Sequence, residues 1–105
     1  MRKYLAVALL TLVSLVTAGG QDAPGFKPQA GFVPDSKTAI AVAEAVLKPI
    51  YGEDQILAER PFSAHLDHGV WIVTGHLPDG FEVGGVAEVR IRKSDAAIHY
   101  VLHGK

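Results

Sequence analysis

The first half of the chain repeats its apolar residues with the period of a helix. They recur three and four positions apart, which builds one apolar stripe. Asp35 or Ser36 is suited to cap the start of this helix. Pro49 is expected to stop or kink it near Leu47, and residues 53–59 form either a further short turn of helix or the run into the first strand. The stripe consists of Ala39, Ile40, Ala43, Val46, Leu47 and Ile50, and the opposite side carries Lys37, Glu44 and Lys48.

The second half alternates apolar and polar residues with the period of a strand. Residues 67–69 are predicted to form a tight turn in which Gly69 takes a positive φ. The segment after this turn is apolar on both faces, which favours a central strand covered on both sides. The four predicted strands lie at residues 62–66, 70–73, 86–93 and 97–102.

Together these elements predict an α+β domain with one main N-terminal helix packed on a four-stranded antiparallel meander. In the third strand, Ala87, Val89 and Ile91 face one way and the charged residues between them face the other. The only tryptophan, Trp71, lies in the most apolar strand. It is predicted to be buried beneath the helix as the largest single contributor to the core.

The N-terminus has the features of a signal peptide. Arg2 and Lys3 precede an apolar run at residues 4–16, which is shorter than the about 20 residues of a membrane-spanning helix. Small residues favour cleavage near Ala18, so the protein is expected to be periplasmic or secreted and not stably inserted in a membrane. The predicted organisation is a signal peptide at residues 1–18, a flexible linker at 19–33 and a folded domain at 34–105.

Charge and cysteine content narrow the classes of function. Without residues 1–18 the chain keeps eight basic and eleven acidic residues, a net charge of −3 with histidine neutral. Because nucleic-acid binding depends largely on neutralising phosphates, an acidic chain without basic runs is not suited to it. The absence of cysteine excludes disulfides, thiol nucleophiles and thiolate metal sites, so the core alone must hold the domain.

Residues that could carry catalysis or bind a metal are scattered along the sequence. None of the serines after the predicted cleavage point lies in a Gly-x-Ser-x-Gly motif. Among the five histidines, His99 and His103 would share one face of a regular last strand, about 13 Å apart and too far for one metal ion. We therefore predict no catalytic residue, no metal site and no cofactor. A small metal binder built on the histidines stays as an alternative.

A set of short motifs occurs in a fixed order along the folded part of the chain. It comprises Ala39-Ile40-Ala41, Lys48-Pro49-Ile50-Tyr51-Gly52, Gly69-Val70-Trp71-Ile72-Val73, Gly75-His76-Leu77-Pro78, Gly84-Gly85-Val86-Ala87 and His103-Gly104-Lys105. This ordered set resembles the immunity proteins named for the nuclear transport factor two fold, over about residues 34–105. The resemblance implies a reduced version of that cystatin-like fold, in which these motif residues serve as makers of the fold.

The resemblance also implies a role. Immunity proteins of this kind neutralise a cognate bacterial toxin by binding it, so the implied partner is a protein toxin. The predicted signal peptide agrees with a toxin that acts on the envelope. An exported domain that inhibits or regulates a peptidase is the alternative, because such domains also pair a helix with antiparallel strands. If the protein acts by binding, we expect the contact surface on the solvent-facing side of the sheet and the loop at residues 78–85. The candidate contact residues are Phe81, Glu82, Glu88, Arg90 and Arg92.

Overall fold

The computed structural model describes residues 25–80 and 84–104. Helices α1 and α2 span Ser36–Tyr51 and Glu53–Ala58, and strands β1 to β4 span Ser63–Asp67, Val70–Thr74, Ala87–Arg92 and Ile98–His103. The sheet has the order β1-β2-β3-β4, and each strand is antiparallel to its neighbour. Helix α1 contacts the first three strands. The predicted α+β fold, one main helix on a four-stranded antiparallel meander, is therefore confirmed.

Helix α1 begins at the predicted cap and buries most of the predicted stripe, but the prediction is wrong for Ile50 at its end, which is 54% exposed. The Asp35 carboxylate accepts a hydrogen bond from the Thr38 N–H at 2.8 Å. This bond satisfies one of the N–H groups that have no partner within the helix. Ala39, Ala43 and Leu47 follow on one side with no exposed surface. Their face of α1 is the one that packs on the sheet.

The end of α1 differs from the expectation for Pro49. The prediction that the helix stops near Leu47 is wrong, because it continues to Tyr51 with Pro49 inside it. Proline removes one hydrogen bond, but its fixed φ is compatible with a helix. The last turn is closed by the Gly52 N–H, which donates to the Lys48 carbonyl at 2.8 Å. The segment that follows, for which two structures were open, is the short helix α2.

The core lies between the helices and the inner face of the sheet. Ala87, Val89 and Ile91 are fully buried there, as the alternation in the third strand predicts. Trp71 is 8% exposed, which confirms it as a core residue. Its indole N–H also donates to the Val33 carbonyl at 2.8 Å. The other buried apolar residues are Val33, Ala39, Ala43, Leu47, Ile56, Phe62 and Val73.

Strand β2 is central in the sheet but covered on one face only. Trp71 and Val73 are buried, whereas Val70 and Ile72 are partly exposed. The prediction of a strand covered on both sides is therefore wrong. Both α1 and α2 place their buried residues in the core on the inner face of the sheet. We call the opposite side of the sheet the open face. The strand register places on it His65, Asp67, Val70, Ile72, Thr74, Glu88, Arg90, Arg92, Tyr100 and Leu102.

The turn between β1 and β2 has the predicted form. Gly69 has a φ of 80°, and the preceding residue His68 has a φ of 50°. Two positive φ values in a two-residue connection match the twist of the paired strands. The tight turn brings Asp67 opposite Val70 and fixes the register of the first hairpin.

A bulge in the last strand separates two histidines that a regular strand would place on one face. Arg90 pairs with Tyr100, but the next residue, Ile91, pairs with Ile98, so His99 is the extra residue. His103 lies opposite the buried residue Ala87 on the inner face. His99 instead lies beside Arg92, with its Nε2 at 3.1 Å from a guanidinium nitrogen. The expectation that the two share a face is wrong, because it assumed an unbroken alternation.

The last residues of the predicted linker are packed on the domain. The N–H groups of Phe32 and Val33 donate to the carbonyls of Ser94 and Lys93, at 3.1 and 3.0 Å. Val33 is 1% exposed. Residues 32 and 33 are thus held against the turn between β3 and β4 by backbone hydrogen bonds. The predicted signal peptide lies outside the described residues, as do Phe81, Glu82 and Lys105.

Candidate functional site

A buried carboxylate stands at the end of helix α2. Glu59 follows the last helical residue and has no exposed surface. Its Oε1 accepts a hydrogen bond from the Ala87 N–H at 2.7 Å, at the start of β3. Its Oε2 accepts one from the Gln55 amide at 2.9 Å and contacts His103 Nε2 at 2.7 Å. This single side chain therefore ties α2 to β3 and to the end of β4.

The partners of His103 define its charge. Its Nδ1 lies 2.8 Å from the Gly104 carbonyl oxygen, and its Nε2 faces the Glu59 carboxylate. Because both neighbours are acceptors, both ring nitrogens must donate, as they do in an imidazolium. The Tyr51 ring packs on this imidazole at a centroid distance of 5.1 Å and a tilt of 51°. Glu59 and His103 form a largely buried ion pair, which we call the Glu59–His103 pair.

Three glycines make room for this pair and for the backbone around it. A Cβ on Gly75 would lie 2.4 Å from Glu59 Oε1, so no larger residue fits beside the carboxylate. A Cβ on Gly85 would lie 1.8 Å from the carbonyl carbon of Gly104, because the two backbones touch. The scattered motifs that carry Tyr51, Gly75, Gly85, His103 and Gly104 thus meet at one place. They surround the Glu59–His103 pair.

The electrostatics of the pair agree with its geometry. Burial is the largest influence on the Glu59 carboxyl and raises its pKa, but the hydrogen bonds from Ala87, Gln55 and His103 outweigh it. The net effect holds the Glu59 pKa below its usual range. The hydrogen bond to Glu59 raises the pKa of His103 above its usual value, against the smaller opposing effect of burial. Both shifts favour the charged forms.

We expect the free energy of unfolding to fall above neutral pH because of this pair. The raised pKa of His103 contributes stability below its unfolded pKa of about 6.5, and this contribution is lost as pH rises through the folded value. The lowered pKa of Glu59 contributes stability above about 4.5 that is lost on acidification. The pair therefore stabilises the fold most between these two values. Urea denaturation between pH 5 and pH 9, followed by circular dichroism, measures the alkaline decline.

The fall in unfolding free energy above neutral pH is the diagnostic part of the profile, because carboxyls other than Glu59 also titrate at acidic pH. The pKa values of Glu44 and Asp35 are lowered too, chiefly by side-chain hydrogen bonds. The matched variant His103→Gln removes the titrating ring and should be less stable at pH 6 with a flatter profile above it. An unchanged alkaline decline in that variant would show that His103 is not its source.

A second ion pair links α1 to the segment after α2. The Arg60 guanidinium donates from Nε and Nη2 to the two oxygens of Glu44, at 3.0 and 2.6 Å. Lys48 lies farther from the same carboxylate, at 3.9 Å. Glu44 is buried, although the helical pattern places it on the polar side of α1. The bidentate bond to Arg60 is what permits that burial.

The open face carries the predicted charged residues in a paired arrangement. Arg90 donates to the Glu88 carboxylate at 2.7 Å, and its guanidinium lies 4.8 Å from the centre of the Tyr100 ring. Arg92 donates to Asp95 at 2.9 Å. Around the charged groups, Val70, Ile72 and Leu102 are partly exposed and Tyr100 is 44% exposed. The open face thus combines an apolar centre with ordered arginine side chains.

Three of the five predicted contact residues lie together on the open face, and the other two lie outside the described residues. Glu88, Arg90 and Arg92 lie in one row of β3 on the open face. Phe81 and Glu82 lie outside the described residues. The Glu59–His103 pair was missed by the pattern analysis, because its partners are 44 positions apart. A signal for it exists only in the glycines that crowd around it.

The Glu59–His103 pair is placed for a structural role. Glu59 is fully buried and its oxygens are engaged, so it offers no surface to a substrate. In the described ranges, no group of three or more histidine, aspartate or glutamate residues is arranged to hold a metal ion. Within the same ranges, no helix is long and apolar enough to cross a membrane. The open face, with its exposed tyrosine and arginines, is the candidate functional surface.

Comparison with known proteins identifies the family. The model of the NTF2 fold immunity protein family matches residues 38–105. No curated protein and no solved structure matches the chain. The matched segment begins in the first turn of α1 and includes both helices, all four strands and the Glu59–His103 pair. The chain therefore belongs to the NTF2 fold immunity protein family.

Proposed function

We propose that this protein is an exported immunity protein that neutralises a cognate bacterial toxin by binding it, without catalysis. The match of the immunity family to residues 38–105 carries the proposal. It covers α1 from Thr38 onward, α2 and all four strands of the described domain. The implied partner is a protein, and neutralisation is the occlusion of that protein.

The composition of the open face supports binding to another protein. Tyrosine and arginine are the residues most often found at the energetic centres of protein interfaces. Arg90 lies across the Tyr100 ring, and its bond to Glu88 holds it there before any partner arrives. Side chains that are ordered beforehand lose less entropy on binding. The open face is therefore the part of the domain on which we place the toxin.

Export is supported by the N-terminal sequence. Arg2 and Lys3 precede the apolar run of residues 4–16, and small residues follow up to Ala18. We place the mature protein in the periplasm or outside the cell, where it meets a toxin that acts on the envelope. Cell fractionation and the mass of the mature N-terminus test this point. An uncleaved protein in the cytoplasmic fraction would contradict it.

The decisive experiment is capture followed by protection. The protein, expressed with its own N-terminal segment and a surface tag, is used to capture partners from the envelope fraction of its native cells. The expected result is a stoichiometric secreted protein that stops growth when expressed alone in the envelope. Co-expression of the immunity protein should then restore growth. Capture of a resident peptidase whose activity falls on binding would instead establish a peptidase-inhibitory domain.

Charge reversal on the open face should weaken the complex. We expect Arg90→Glu with Arg92→Glu to weaken toxin binding by about 2 kcal/mol or more, which is roughly a thirtyfold rise in Kd. Calorimetric titration of the captured toxin measures the change. Lys37→Glu, a reversal at an exposed position of α1, is the matched control and should leave Kd unchanged. Equal affinities for both variants and the wild type would place the interface elsewhere.

A further inference from the structure

The two outer strands of the sheet differ in how they are protected from other strands. An edge strand exposes unpaired backbone groups, and proteins usually guard it with charged residues or proline. Strand β1 ends in Asp67 and follows Arg60 and Pro61. Strand β4, Ile98–His103, contains no aspartate, glutamate, lysine, arginine or proline. Strand β1 therefore has residues that hinder pairing with a further strand, and strand β4 lacks them.

The outer side of β4 presents both apolar side chains and free backbone. Ile98 is 41% exposed and Tyr100 is 44% exposed. Among the described residues, no backbone hydrogen bond from a loop or another strand reaches this side of β4. Isoleucine, tyrosine, valine and leucine are also residues that favour extended structure. The strand has the composition of one that is paired on both sides.

The hydrogen-bond pattern fixes which backbone groups point outward. The Gly104 N–H donates to the Val86 carbonyl at 3.2 Å, so this opposite pair is a hydrogen-bonded one. Hydrogen-bonded and non-bonded pairs alternate along an antiparallel ladder, so Leu102 and Tyr100 also bond to β3. The N–H and carbonyl groups of Val101 and His103 then point away from β3. These are the groups that an added strand would bond.

We propose that β4 pairs with β4 of a second copy of this chain, antiparallel and centred on Val101. In this register the Val101 N–H of each copy donates to the Val101 carbonyl of the other. Tyr100 of one copy lies beside Leu102 of the other on the open face, and this aromatic–aliphatic contact forms twice by symmetry. Cross-strand pairs of this kind stabilise a sheet. The result is one continuous sheet of eight strands.

The strand is self-complementary, which is why a second copy fits it. In a two-fold pairing centred on Val101, that residue meets its own copy and Tyr100 meets Leu102. These central contacts join uncharged side chains, so no like charges face each other there. The pairing also keeps both open faces on the same side, because a register centred on one residue preserves the alternation. The edge strand β1 instead carries Asp67 at its end.

The test is the mass of the protein in solution together with the exchange of two amides. The full gene product is expressed with its own N-terminal segment, so that any processing is native, and is followed by analytical ultracentrifugation from about 1 to 100 μM, a range that spans ordinary dimer affinities. A dimer with slow hydrogen exchange at the Val101 and His103 amides is expected. A monomer throughout this range would overturn the proposal. A dimer in which those two amides exchange rapidly would overturn it as well.

A pair of variants gives the second arm of the test. Tyr100→Lys with Leu102→Lys puts two lysines opposite each other at each end of the contact, and should raise the dissociation constant tenfold or more with an unchanged circular dichroism spectrum. Ser63→Lys with His65→Lys adds the same two charges to the edge strand β1 and should leave it unchanged. If the β4 variant dimerises like the wild type, the pairing is wrong. Because no toxin enters these measurements, their outcome is separate from that of toxin capture.

Discussion

Replacing Glu59 with alanine is expected to cost about 3–5 kcal/mol of unfolding free energy, as for other buried ion pairs that lose one partner. The change leaves the His103 imidazolium without its counter-charge and the Ala87 N–H without its acceptor. It also opens a cavity where the carboxylate stood, next to Gly75. Since a domain of this size is stable by only about 5–10 kcal/mol, the variant should lose between about a third and all of its stability. Urea denaturation followed by circular dichroism measures the loss.

Two matched substitutions separate the parts of this effect. Glu59→Gln keeps an oxygen for the Ala87 N–H but removes the charge, so its loss should be intermediate. Glu53→Ala removes an exposed carboxylate from the same short helix and should change stability by less than about 0.5 kcal/mol. If Glu59→Ala lost no more than Glu53→Ala, the Glu59–His103 pair would contribute nothing to the fold.

The second large effect is expected from Trp71→Ala, which should also cost about 3–5 kcal/mol through the loss of a large core side chain. Trp71 lies in the central strand β2, opposite Leu66 on one side and Ile91 on the other. Its removal empties the middle of the core and leaves the Val33 carbonyl without its indole donor. The midpoint of urea denaturation measures the cost.

The variant Trp71→Phe separates the hydrogen bond of the indole from its packing in the core. It keeps most of the apolar volume but has no N–H for Val33, so the buried carbonyl should cost about 1–3 kcal/mol. A Trp71→Ala protein that stays fully folded and only binds its partner more weakly would contradict the core assignment. Such a result would make Trp71 part of an interface.

The elements that could be predicted are those that short-range periodicity determines. A repeat of three and four residues identifies α1, and strict alternation identifies β3 with Val89 and Ile91 inward. Both patterns arise because one face of each element is buried and the other is wet. The same logic placed Arg90 and Arg92 on the open face, since the residues between buried ones must point away from the core.

The features that could not be predicted depend on contacts between distant segments. In the sequence, Glu59 has nothing to distinguish it from an exposed carboxylate, because its partner at the end of β4 is brought beside it only by the fold. The bulge at His99 shifts the strand register by one residue, and no local sequence pattern predicts this shift. Likewise the burial of Glu44 requires Arg60, which lies 16 residues further along the chain. In each case the deciding partner is set by tertiary structure.

Because the indole N–H of Trp71 bonds the Val33 carbonyl, the tryptophan fluorescence of the protein reports on the attachment of residues 31–33. Trp71 is the only tryptophan, so the indole emission of the chain comes from one position in the core. Release of residues 31–33 from the sheet would free that N–H and admit water to the ring, shifting the emission to longer wavelength. Far-ultraviolet signals from the helices would be unchanged by the same event. Fluorescence of the natural chain therefore distinguishes local detachment of the segment before α1 from unfolding of the whole domain.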